Sequence, residues 1–188
     1  DYPVVGVSWL QANEFCKWRT DRVNEQIMVR EGFLVHNPTG QVDDSFFSTE
    51  AYLDGQYEEA AKAADGIKDL RPNGVGYRNV GMSDGILLPD YRLPTEAEWE
   101  FACRAGSDTN SSWGADAQKA GEYAWFGGDA STHYNVPGKK KPNSLGLHDM
   151  HGNVLEWTLD QYVPNRREYF AKDKVHNPWV KATKPYPH

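Results

Sequence analysis

A chain of 188 residues with 39% apolar and 25% charged residues can fold around a core and is no disordered polymer. Mean hydropathy is −0.74, and no run approaches the ~18 apolar residues a membrane helix needs. Lys and Arg total 20 against 27 Asp and Glu, and this net charge of −7 argues against a general nucleic-acid binder, whose phosphate contacts need clustered cations.

The chain opens on Asp1 without a charged n-region, an apolar h-region or a lipid-attachment Cys, and its end, Lys181 to His188, is polar. We expect it to be a piece of a longer protein, so a missing targeting signal is uninformative about location. Val4-Val5-Gly6-Val7 reads as a short buried strand. Ser8 and Gln11 then form a capping box that starts a helix, predicted to about Arg22 or further. Ala12, Phe15, Cys16, Arg19 and Val23 recur at helical spacing and are expected to face a core.

From Thr20 to Pro89 the texture changes. Asn37-Pro38-Thr39-Gly40, Asp54-Gly55, Asp65-Gly66, Pro72-Asn73-Gly74 and Asp84-Gly85 are turn signals at short intervals. Ser48 to Leu53 and Tyr57 to Ala64 are short helical candidates between them. Phe33-Leu34-Val35, Phe46-Phe47 and Tyr52-Leu53 are spaced in a way that predicts no independent core. They must fold back on the domain or dock on another protein. So long a stretch is expected to be the main partner-binding surface.

Thr95 and Glu98 make a second capping box, with Glu96 and Glu98 in the first turn where the helix dipole favours anions. Ala97, Phe101 and Ala102 are its expected apolar side, and Gly106 can close it. Residues 107–145 are loop-rich, with Trp113, Tyr123, Trp125 and Phe126 as expected anchors.

His148 and His151 stand three apart, with His133 nearby. No metalloprotease-type signature accompanies them, so they read as hydrogen-bonding loop residues. Glu96, Glu98 and Glu100 read as capping and solvated-face residues rather than an acid–base pair. The chain has 2 Cys, Cys16 and Cys103, without CxxC spacing, and both read as buried free thiols. Glu156, between Leu155 and Trp157, looks buried and then needs a cation or several donors. An oxygen-rich loop with one carboxylate suits Ca²⁺, and the plainer alternative is Glu156 bonded to backbone N–H groups or an Arg.

Three segments together carry a resemblance. They are Pro3-Val4-Val5-Gly6-Val7-Ser8-Trp9 with Ala12-x-x-Phe15-Cys16-x-Trp18, then Tyr91-Arg92-Leu93-Pro94-Thr95-Glu96-Ala97-Glu98-Trp99-Glu100-Phe101-Ala102, and Pro142 through Trp157 with its Gly152-Asn153-Val154-Leu155-Glu156 core. The set resembles the formylglycine-generating enzyme or sulfatase-modifying factor family. The resemblance implies an α+β, C-type-lectin-like fold with little regular secondary structure, here one domain over 1–188 with an insertion at 20–89. It implies a Ca²⁺ site at Asp149, Gly152, Val154 and Glu156, through backbone carbonyls except at Glu156. The family's second calcium loop is not matched at Ala124-Trp125 and 127–137. Its copper-binding Cys pair, which oxidises a substrate Cys with O₂ in an Arg-Gly-Gly-Ser-Trp context, has no counterpart in 158–188, so no copper site is expected. Cys16 and Cys103 resemble family cysteines that pair with C-terminal partners, so they are not expected to pair with each other.

The insertion after Arg19-Thr20-Asp21-Arg22-Val23 resembles the gliding-motility lipoproteins of Bacteroidetes, the J type before the K type. This implies a non-catalytic scaffold on the periplasmic face of the outer membrane, held by a lipid anchor outside this chain. Its partners would be proteins of a gliding and type IX secretion complex, with no nucleic acid. The alternatives are a formylglycine-generating copper oxidase whose catalytic segment lies elsewhere, and a carbohydrate- or peptide-binding module on the same fold.

Overall fold

The computed structural model describes residues 2–35, 46–56, 66–127 and 133–162. Chain contacts divide it into two compact units, one of Asp1–Ala12 with Leu93–His188 and one of Asn13–Arg92. The second unit, hereafter the insertion unit, contains residues 20–89 and begins earlier, at Asn13.

Helix α1, Trp9–Arg30, supplies the long element of the insertion unit. Its start is the expected box: the Ser8 amide donates to Gln11 Oε1 at 2.8 Å, and the Gln11 amide to Ser8 Oγ at 3.2 Å. It continues past Arg22 because no Gly or Pro interrupts it before Gly32, whose φ of +79° reverses the chain. The buried face differs from the expected apolar stripe. Thr20, Asp21, Asn24 and Met28 are buried, whereas Phe15 and Trp18 stack on each other and stay half exposed.

That polar face has a physical reason. Irregular backbone that leaves solvent must find partners for its N–H and C=O groups. Asn24 takes the Leu88 N–H on Oδ1 at 2.8 Å and donates to the Leu88 carbonyl at 3.1 Å. Thr20 Oγ1 accepts the Tyr91 N–H at 2.8 Å. Asp21 Oδ1 accepts the Thr49 N–H at 2.7 Å. The helix therefore splints loops, one side chain to each strand of connecting backbone.

The insertion unit has its own core, which corrects the expectation that it would lack one. Met28, Leu34, Phe47, Tyr52, Val80 and Leu87 are buried together, with Val29, Phe33, Ile67 and Ile86 against them. Within each apolar cluster one side chain turns in and its neighbour out: Leu34, Phe47 and Tyr52 are buried, Val35, Phe46 and Leu53 exposed. Helix α2, Thr49–Leu53, is capped by Ser48, whose side chain accepts from the Ala51 amide. The Tyr52 hydroxyl accepts the Val80 N–H at 3.1 Å. The candidate helix at Tyr57 to Ala64 lies outside the described residues.

Strands β1, Ile67–Lys68, and β2, Tyr77–Arg78, pair antiparallel with Ile67 opposite Arg78. Gly66 has φ +101°, and a Cβ there would stand 2.0 Å from the Arg78 carbonyl oxygen, so glycine is required. Arg78 closes the hairpin with two bonds to Asp84 at 2.6 and 2.7 Å, while Arg71 grips Asp69.

In the other unit, residues 4–7 form no strand, and Val4, Val5 and Val7 are exposed, contrary to expectation. Gly6, at φ +74°, turns the chain where a strand would need extended backbone. Helix α3, Glu96–Arg104, starts on the expected box, with Glu98 N–H to Thr95 Oγ1 at 3.2 Å and Thr95 N–H to Glu98 Oε2 at 2.8 Å. It ends at Ala105, which takes φ +52° one residue before Gly106. Phe101, expected inside, is exposed, and the buried residue of the helix is Cys103. A short 3-10 turn at Ala117–Lys119 leads into α4, Ala120–Tyr123.

Candidate functional site

The 142–157 segment is held to α3 by Asn143. Its amide group donates to the Ala102 carbonyl at 2.8 Å, and its Oδ1 accepts the Leu145 and Leu147 amides at 3.0 and 3.1 Å. One nearly buried Asn thus ties a helix end and a tight turn together, a role that no sequence pattern announced. Beyond it, Asp149 and Asn153 adopt φ +59° and +74°. Asn153 exchanges bonds with the Asn135 backbone, at 2.7 Å from its N–H and 3.1 Å to its carbonyl. A Cβ on Gly152 would lie 2.1 Å from the Trp125 carbonyl oxygen, so the loop seats there by backbone contact.

The four residues expected at a cation all lie on this loop. The Asp149 carbonyl accepts the Gly152 N–H, and the Gly152 carbonyl the Val154 N–H, each keeping a second lone pair. Asp149 Oδ2 accepts the Gly138 N–H at 2.7 Å, whereas its Oδ1 is buried with no donor. Glu156 is exposed rather than buried, and Leu155 is fully exposed. Glu156 Oε2 accepts one bond, from Trp99 Nε1 at 2.8 Å. Its expected dense donor cluster is therefore a single indole. Oxygen atoms of this kind are what a hard cation such as Ca²⁺ takes as ligands, and the Asp149 Oδ1 beside them is buried without a donor.

Beside the loop lies a cavity of about 490 Å³ lined by Trp99, Cys103, Asn110, His151 and Glu156. Cys103 is buried, and its Sγ stands 3.2 Å from the Met150 carbonyl and 3.5 Å from His151 Nε2. Burial, with the Glu156 and Glu100 charges behind it, pushes the thiol pKa up. Burial pushes His151 down, and the ring rests edge-on against Trp113. The Ser112 N–H points at Nε2 from 3.3 Å, which makes that nitrogen the acceptor. Both shifts favour the uncharged thiol and the uncharged imidazole, the opposite of the thiolate–imidazolium pair of an activated cysteine. Cys16 is also a free thiol raised by burial.

His148 bonds the Lys140 carbonyl at 2.8 Å, away from the contacts of His151. Among the described residues no three His, Cys, Asp or Glu side chains gather around one metal position. Among the described residues no helix is long and apolar enough to cross a membrane.

The family model of the sulfatase-modifying factor enzyme 1-like domain matches residues 1–183. A formylglycine-generating enzyme of Mycobacterium tuberculosis is 39% identical over 88 residues, which are 40% of this chain and 29% of that protein. A chaperone protein LppX of Paenibacillus barcinonensis is 34% identical over 172 residues, 82% of this chain and 50% of that one. The mouse inactive C-alpha-formylglycine-generating enzyme 2 is 41% identical over 83 residues, 39% of this chain and 27% of that one. The chain thus spans half or less of these relatives. Treponema denticola variable protein 1 superposes with a TM-score of 0.44 and 28% identity, covering 86% of this chain and 50% of that one.

Proposed function

The chain belongs to the sulfatase-modifying factor family, the formylglycine-generating enzymes and their relatives, and from that premise we propose a non-catalytic role for it. We read it as the interaction domain of an outer-membrane lipoprotein that faces the periplasm and serves gliding motility and type IX secretion. The observation that carries this reading is the insertion unit: it packs its own core yet leaves Val35 58%, Phe46 45% and Leu53 41% exposed. Apolar side chains held outward by a folded unit suit docking on protein. The Cys103–His151 contact, with the thiol pushed up and the imidazole pushed down by burial, is compatible with a role without thiol chemistry. A chaperone protein and an inactive enzyme among the relatives are compatible with it.

The test replaces residues 26–88 by a short Gly-Ser linker in the intact protein. Partners are captured from the outer membrane and identified by mass spectrometry. Loss of partners from a variant that still folds supports the reading. Normal capture overturns it. Conversion of a Cys-containing sulfatase peptide to formylglycine by the full protein with copper and O₂ would favour oxidation instead.

The same reading places Ca²⁺ at the Asp149, Gly152 and Val154 carbonyls and the Glu156 carboxylate, where it would lock the loop rather than drive a reaction. Calcium at 100 times its dissociation constant stabilises a folded state by about 2.7 kcal/mol. We expect the melting temperature to fall on chelation and Glu156→Gln to abolish that response. An unchanged melting curve would remove calcium from the account.

A further inference from the structure

The sequence holds one Asn-x-Ser/Thr triplet whose centre is not proline, Asn110-Ser111-Ser112. Asn37-Pro38-Thr39 has the same ends, but a central proline bars transfer of a glycan to the asparagine. Such a triplet also arises by chance, so the pattern alone decides nothing. What decides is whether the folded chain presents the asparagine on its surface, in irregular backbone, with its amide free.

Asn110 meets each condition. It is exposed, in a run of bends that follows α3. Its side-chain amide makes no hydrogen bond among the described residues. Ser112 is half-buried, and its hydroxyl, the group that a glycan transferase reads in the third position, is also unbonded among the described residues. The surrounding loop, by contrast, is tied down. Arg104 Nη2 donates to the Thr109 carbonyl at 3.1 Å, and Thr109 Oγ1 to the Ser111 carbonyl at 2.8 Å. The Ser112 N–H donates to His151 Nε2 at 3.3 Å. Other asparagines of this fold are splints: Asn24, Asn143 and Asn153 each hold loop backbone by two or more side-chain bonds. Asn110 holds nothing, and its bonded neighbours keep it on display. Asp108, two residues earlier, is exposed too and offers a charged handle on the same loop.

We propose that Asn110 is an N-glycosylation site. Its Nδ2 attacks the anomeric carbon of an oligosaccharide carried on a polyprenyl pyrophosphate, in the site of a membrane-bound transferase. The N–C bond forms as the C–O bond to pyrophosphate breaks. Nδ2 passes one proton to a base of the transferase, and polyprenyl pyrophosphate leaves with the bonding electron pair, so nothing is oxidised or reduced. The inference rests on the placement outside the cytoplasm that the proposed function includes, because the transfer takes place on that side of a membrane. Asn110 lies on the rim of the cavity beside the 149–156 loop, whose lining includes the fully exposed Leu155. A bulky, hydrated glycan there shields that apolar side chain.

The experiment purifies the whole protein from the outer membrane of the cells that make it and digests it with trypsin. Cleavage after Arg104 and Lys119 isolates one peptide, residues 105–119, that contains Asn110. Electron-transfer fragmentation in the mass spectrometer then locates any added sugar within it. We expect the glycan on Asn110. Asn110→Gln and Ser112→Ala abolish it, whereas Ser112→Thr, which keeps a hydroxyl in the third position, retains it. All three leave the circular dichroism unchanged, since they alter side chains without hydrogen bonds among the described residues. A bare peptide, a sugar placed on Ser107, Thr109, Ser111 or Ser112 instead, or a sugar that survives Asn110→Gln overturns the inference. Protein recovered from the outer membrane but bare at Asn110 sinks the inference alone and leaves the interaction reading standing. Protein confined to the cytoplasm sinks both.

Discussion

A single side chain can hold a loop as firmly as a strand does, and Asn24 shows how. It is fully buried and satisfies both backbone groups of Leu88. Asn24→Leu keeps the volume and leaves that pair without partners. We expect a loss of about 1–3 kcal/mol in urea unfolding, the cost of unmet polar groups. A loss below the error of the measurement would mean that water replaces the Asn. Gly152→Ala tests a different limit. Its Cβ would meet the Trp125 carbonyl oxygen at 2.1 Å, so backbone must shift and the melting temperature must fall. The ion pairs of the hairpin set a pH dependence. Arg71 beside Asp69, and Arg78 beside Asp84, lower those carboxyls from 3.8 to about 2. A depressed carboxyl stabilises above its unfolded pKa and loses that contribution as pH falls through the folded one. Stability should therefore drop between about pH 4 and 2, and Asp84→Asn should flatten the drop. An unaltered acid profile in the variant would assign the drop elsewhere.

At the scale of elements, what was legible follows local chemistry. Both capping boxes, Ser8 with Gln11 and Thr95 with Glu98, stand where the pattern put them, because their partners are three residues apart. Helix α2 was legible through Ser48 for the same reason. The faces of α1 and α3 were not. Phe15, Trp18 and Phe101 look inward by type, yet Thr20, Asp21, Asn24 and Cys103 hold the interior positions. Those choices depend on loops 25 to 71 residues away in sequence, which no helical period encodes. At the candidate site, the loop residues were recognisable by motif, but the exposure of Glu156 was not, since it depends on where Trp99 points. Phe47, 1% exposed, tests the core that was not foreseen. Phe47→Ala should cost about 3–5 kcal/mol, the range for a buried aromatic, read from the unfolding free energy.

Over the whole molecule, regular structure is sparse: the sheet among the described residues has two strands of two residues each. Stability in such a chain must come from side chains that satisfy loop backbone and from small apolar clusters packed behind them. This places slow hydrogen exchange in an unusual pattern. In most folds the protected amides are those of helices and sheet ladders, and loops exchange near their free rate. Here the amides of Thr49, Val80 and Leu88 donate to buried or nearly buried Asp21, Tyr52 and Asn24. Opening any of them leaves a polar side chain unmet in the interior, so each should open only with the core around Met28 and Phe47. We expect these three amides to exchange as slowly as the centre of α1, and far more slowly than amides of exposed turns such as Gly74. Asn24→Leu should release Leu88 while leaving Val80 protected, because their acceptors differ. If the three amides exchange at turn-like rates in the unmodified protein, side-chain splinting is not what holds this fold together.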